Sequence, residues 1–389
     1  MSTQPSIDQP FYTFKVPVPG GQIVAVILGF YDQSLDELHA YGEKIRTFME
    51  TPELQEIWGD ILKAKSKSDP EVAETNSFAA RFVFLREKER LGLGYSAGYL
   101  NNFMFISADS VDLPTFCHES SHWRRDAWMP QIEQTDSYTS MKDWVFAQFM
   151  DEAEAHLTEV VQVDPYNDPG AINFVNLILF IGQNAHLSRN ELREVLINQH
   201  FFKDGVSEAT IDDHIQKLSD PLTQRRAQAL GGVWTLRENL PQDVFEKRAT
   251  YYYFDQFMGP DSDWLDYYTK HLVSQTWGET MQNHLQRVPS STSDAHFATH
   301  TDRGYVAGLV QRLSDMGLTK KQIQVMENRA QLIADVTQKY RDGTEVVSFQ
   351  DLLQQVHNTI IKGVDPKSVG NQLNGSNGHD QQGPNQSSR

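Results

Sequence analysis

At 389 residues, with a formal net charge of −18 and a sequence pI near 5.1, the chain is longer than a usual single domain, so two domains are expected. The acidic balance argues against a nucleic-acid or anionic-membrane binder, because phosphate backbones and anionic lipids are met by basic patches. A single cysteine, Cys117, excludes an internal disulfide framework.

The first residues, MSTQPSIDQPFYTF, lack the basic start and long apolar run of a signal peptide, so a cytoplasmic location, or export without a classical signal, is expected. Residues 11–30 read as two short strands around the Pro-Gly-Gly turn at 19–21. Residues 32–65 read as one or two helices, broken near Thr51-Pro52. From 78 to 108 the pattern turns strand-like, punctuated by Gly92, Gly94 and Gly98, and NNFMFIS at 101–107 is the strand expected beside the helix that follows.

That helix holds the most informative string in the chain, His118-Glu119-x-x-His122, within TFCHESSHW. Residues four apart share a helix face, so both imidazoles can grip one metal ion while Glu119, about 100° around, reaches water bound beside it. Asp109, Ser110 and Asp112 are candidate N-caps, and Pro114 falls in the first turn, where its missing N–H costs little. Phe116, Ser120, Trp123 and Ala127 form an inward stripe. Cys117 adjoins His118 but points off the ligand face and reads as a small packed residue.

TFCHESSHW resembles the active-site helix of the zincin metallopeptidases, with Arg124 a departure where an apolar residue is usual. The resemblance implies zinc-dependent hydrolysis of peptide bonds, with a metal-activated water as nucleophile and Glu119 as its general base. Catalytic zinc normally takes three protein ligands and keeps one position open, so two histidines leave the set one short. After His122 the chain runs WRRDAWMPQIE, which lacks the third histidine of the metzincin subgroup. A glutamate from a later helix, the gluzincin arrangement, remains. Residues 138–163 read as one long helix containing DEAEAH at 151–156. Within it Asp143, Ala147, Asp151, Glu154 and Thr158 form a polar face, whereas Val145, Phe149, Glu152 and His156 lie along the other side. Glu152 rather than Glu154 is therefore the expected third ligand. Glu-x-x-Ala-His also resembles the gluzincin Glu-x-x-Ala-Asp, whose aspartate orients a zinc-bound histidine; His156 stands in that place here. In zincins an edge strand preceding the metal helix also pairs with the extended substrate, a role open to 101–107, which reads equally well as an ordinary core strand.

Beyond Pro165 helices are expected over 171–187, 189–202, 207–218, 221–238, 242–258, 262–285, 302–315, 319–340 and 348–361, with no repeat period among them. The longest apolar stretch, 171–182, contains Asn173 and Asn176 and is too short to span a bilayer. From 363 onward the chain is too polar to fold and reads as a tail. His296 and His300 have metal-compatible spacing but no accompanying glutamate, and the aromatic run Tyr251–Tyr253 is assigned no role.

These readings combine into an α+β protein. Residues 1–165 form a zincin-like metallopeptidase domain with a small mixed sheet and an active-site helix. Residues 166–362 form a helical domain for partner or substrate recognition, and 363–389 a disordered tail. The expected function is a soluble zinc metallopeptidase acting on a protein or peptide, with Zn2+ held by His118, His122 and Glu152 and with Glu119 as the catalytic base. The alternatives are a helical interaction protein with a structural or degenerate metal site, and a bacterial effector or toxin protease.

Overall fold

The computed structural model describes residues 11–29, 33–85, 97–100, 102–107, 112–128, 141–162, 169–202, 206–259, 264, 267–268 and 302–341. The expected helix at 348–361, most of that at 262–285, the tail and the His296/His300 pair lie outside them.

The described residues form a mixed α+β fold, mostly helical, with one five-stranded sheet of order β1-β2-β3-β5-β4. Strands β1 (Phe11–Val18) and β2 (Gly21–Gly29) pair antiparallel across the expected turn, where Gly20 has a φ of 90° that a side chain would resist. Alternation in β1 buries Phe14, Val16 and Val18, and in β2 it buries Ile23, Ala25 and Ile27. Helix α1 (Leu35–Met49) opens on a capping box between Ser34 and Glu37. The chain breaks at Thr51-Pro52, as read from sequence, and continues as α2 (Pro52–Ser68). A short α3 (Pro70–Thr75), not expected from the sequence, is capped by Asp69 and carries Pro70 in its first turn. Strand β3 (Ser77–Leu85) then runs parallel to β2.

Strand β4 (Ala97–Leu100) turns back into β5 (Phe103–Ser107), which pairs antiparallel with β4 and parallel with β3. Of the two readings of this segment, the core strand is the one found. Among the described residues, β5 (Phe103–Ser107) is interior to the sheet and β4 lies at its edge. The physical reason is the β4–β5 turn, where Asn102 adopts a left-handed φ of 63° and lets a second strand cover β5. Tyr99 of β4 donates to Asp126 at 2.6 Å, fastening the edge to α4 (Leu113–Trp128).

Helix α4 packs its predicted stripe inward. Phe116, Ser120 and Trp123 are fully buried, and Phe116 and Trp123 join Trp58 and Phe82 in the sheet's core. Of the candidate caps, Asp112 accepts from the Thr115 N–H at 2.7 Å; Asp109 and Ser110 lie outside the described residues.

Helix α5 (Met141–Gln162) serves two neighbours. Its apolar residues, among them Val145, Phe149 and Leu157, belong to a core shared with α9 (Pro221–Asn239) and with four further segments. These are α10 (Gln242–Tyr253), a π-helical turn (Phe254–Met258), α11 (Asp302–Asp315) and α12 (Lys320–Arg341). The face bearing Asp151, Glu154 and Thr158 is buried as well, against α4. A second helical core joins α6 (Pro169–Gln183), α7 (Arg189–Asn198), α8 (Glu208–Leu218) and α9 (Pro221–Asn239). No helix among the described residues is long and apolar enough to cross a membrane.

Candidate metal centre

Helices α4 and α5 bring His118, His122 and Glu152 together. The Nε2 atoms of the two histidines stand 3.1 Å apart, and Glu152 places one carboxylate oxygen 3.5 Å from each. Two ligands held about 2.0–2.1 Å from a tetrahedral ion are about 3.3–3.4 Å apart, so each of these separations, with Oε1 of Glu152 facing His118 and Oε2 facing His122, is close to that between zinc ligands. The donor chemistry, two imidazoles and a carboxylate, also fits zinc.

The outer nitrogens are equally well placed. His118 Nδ1 faces Glu159 Oε2 at 3.2 Å, and His122 Nδ1 faces Asp151 Oδ2 at 3.0 Å. A carboxylate opposite Nδ1 keeps the proton there and leaves the Nε2 lone pair directed at the ligand triangle. Each carboxylate is itself paired with an arginine, Glu159 with Arg226 of α9 and Asp151 with Arg125 of α4.

The cluster favours a cation at its centre. Burial alone would lower the pKa of His118, but the hydrogen bonds it donates to Glu152 and Glu159 overcome it and raise it to about 10. Burial and the neighbouring His118 charge lower His122 to about 4. Glu152 lies below the usual carboxylate range because the hydrogen bond and charge of His118, with the charges of His122 and His156, outweigh its burial. Glu119 is 7 % exposed, and burial pushes its carboxyl up despite opposing help from His118 and His122.

His156 does not take the outer-nitrogen position that the Glu-x-x-Ala-His pattern suggested. Its Nε2 accepts from the Trp264 indole N–H at 3.3 Å and lies 3.5 Å from Glu152, while its Nδ1 lies 3.6 Å from Glu159. Glu159 therefore partners His118 in its place. His118, His156 and Glu159 also cluster closely enough to hold an ion. That set is the weaker one, because Glu159 is engaged by Arg226 and the His156 Nε2 lone pair by Trp264.

Glu154 stays away from the triangle. It is buried and accepts from Arg312 of α11 at 2.7 Å and from Arg124 at 3.4 Å. Arg124, the charged departure in the motif helix, is thus matched by a carboxylate on α5. Cys117 is buried, its Sγ 3.9 Å from the Thr158 carbonyl, and burial holds its thiol protonated.

Sequence reading missed Asp151, Glu159 and Arg226. Glu159 was accessible, being the next position of the Val145, Phe149, Glu152, His156 stripe. Asp151 falls, by helical phase, on the polar face away from Glu152. Nothing local marks Arg226.

No known family model matches this chain, and no curated protein or solved structure does so either.

Proposed function

We propose that the chain is a zinc-dependent metallopeptidase whose ion is held by His118, His122 and Glu152. The observation that carries this reading is the convergence of the two Nε2 atoms, 3.1 Å apart, on the two oxygens of the Glu152 carboxylate, each 3.5 Å from one histidine, with a carboxylate behind each imidazole. A divalent cation held there supplies Lewis acidity for a scissile carbonyl and acidifies water. Three protein ligands favour catalysis over a structural role, since structural zinc is normally closed by four and His156 has its nearest lone pair occupied. Glu119 takes the proton from the attacking water and passes it to the leaving amine, work suited to a carboxylate whose pKa burial has raised. The β4 edge offers backbone N–H and C=O groups to an extended peptide.

The test begins with stoichiometry. About one zinc per chain is expected by native mass spectrometry, with His118→Ala or His122→Ala losing most of it, because two remaining ligands hold zinc poorly. Wild type that stays metal-free after incubation with zinc overturns the reading. Unbiased peptide-library cleavage then tests the activity.

A pH dependence follows from the same geometry. Protons and metal compete for Nε2 of His118, and with a pKa of about 10 this histidine is protonated across the neutral range. Binding should release about one proton, and affinity should rise by up to about tenfold per unit between about pH 6 and 8. Calorimetric titration in two buffers of different ionisation enthalpy measures both; equal affinity at the two pH values contradicts the prediction.

A further inference from the structure

The two carboxylate–arginine pairs behind the histidines differ in origin. Behind His122, Arg125 and Asp151 come from α4 and α5, the helices that carry the ligands. Behind His118, Glu159 comes from α5, but Arg226 comes from α9, 67 residues further along the chain, a helix that contributes both to the core of α5 and to the second helical core. The Glu159 side chain is 1 % exposed and contacts both His118 and His156. A carboxylate so buried is tolerated only when a cation compensates it, and Arg226 is that cation.

Resting on the reading of the metal centre above, we propose that Glu159 and Arg226 are positioning residues for the zinc. Arg226 holds Glu159 ionised and oriented, Glu159 fixes the Nδ1–H tautomer and ring plane of His118, and the helical half is thereby an obligatory part of the metal centre. Movement of α9 relative to α5 would be felt as a change in metal affinity, which gives the helical half a direct route to control the site.

Two simpler roles compete with this one. The Arg226–Glu159 pair could be a fastener between α5 and α9 with no bearing on the metal, and Glu159 could be a direct ligand. Arg226 is suited to a test because its side chain is 38 % exposed, so that Arg226→Met opens no core cavity. Zinc affinity is measured by chelator competition in full-length wild type and in Arg226→Met, Arg226→Lys, Glu159→Gln and the Glu159→Gln/Arg226→Met double variant. Cobalt-substituted spectra are recorded alongside.

Arg226→Met and Glu159→Gln should each weaken affinity by about 10- to 100-fold and shift the cobalt visible bands. Arg226→Lys should restore most of the affinity. The double variant should bind about as Glu159→Gln does, since both changes act through the same carboxylate. An Arg226→Met protein with a lowered melting temperature but wild-type affinity and spectrum overturns the proposal and leaves a fastener. Loss of metal by Glu159→Gln to the extent seen for His118→Ala makes Glu159 a ligand and equally overturns it. Wild type that binds no zinc removes this inference together with the functional reading, whereas normal wild-type binding with unaffected variants removes this inference alone.

Discussion

Glu119→Gln is expected to keep its metal and its fold while losing peptide hydrolysis by at least about a hundredfold, the usual scale of general-base assistance. Glutamine preserves the shape of a side chain that is 7 % exposed but cannot accept the proton of water. The structure adds an expectation about stability. Because burial already disfavours the charged form of Glu119, a neutral amide relieves that penalty, so the variant should melt no lower than wild type. Turnover of one substrate identified from the peptide library, measured on both proteins at equal zinc content, is the check. Equal rates would remove Glu119 from the mechanism.

The second large effect separates neighbouring glutamates. Glu152→Ala should weaken zinc binding by about two orders of magnitude or more, because it removes the carboxylate whose two oxygens face the two Nε2 atoms. Glu154→Ala should leave the affinity of the folded protein nearly unchanged yet reduce its stability by about 3–5 kcal/mol, the scale for stripping one partner from a buried ion pair. Arg124 is buried and would lose its carboxylate, as would Arg312. Zinc titration and denaturant unfolding of the metal-free proteins divide the two effects. If Glu154→Ala abolishes binding in a protein shown to be folded, the ligand triangle is wrongly drawn.

The four-residue offset between Glu152 and His156 illustrates what periodicity can and cannot supply. Helical phase alone sets Glu152 apart from Glu154, because side chains two apart on a helix point about 200° apart. The same phase shows that His156 follows Glu152 on one stripe, but not whether its ring turns toward His118 or toward a partner from elsewhere. That choice depends on Trp264, 108 residues further along, whose indole N–H occupies His156 Nε2 and leaves the His118 Nδ1 position to Glu159.

The sequence by itself determined the local features of this protein. They include the β1–β2 turn at Pro19–Gly20, the helix break at Thr51-Pro52, the inward stripe of α4 and the helical phase that parts Glu152 from Glu154. Each is set by contacts within a few residues, through turn chemistry, proline geometry and the 3.6-residue repeat. Only the tertiary structure decided that β4 rather than β5 is the sheet edge, that the Asp151 face of α5 is buried against α4, and that Arg226 stands behind His118. These depend on which distant surfaces come together. A charged residue reads the same in a sequence whether water or a buried partner compensates it, and packing alone brings that partner into place.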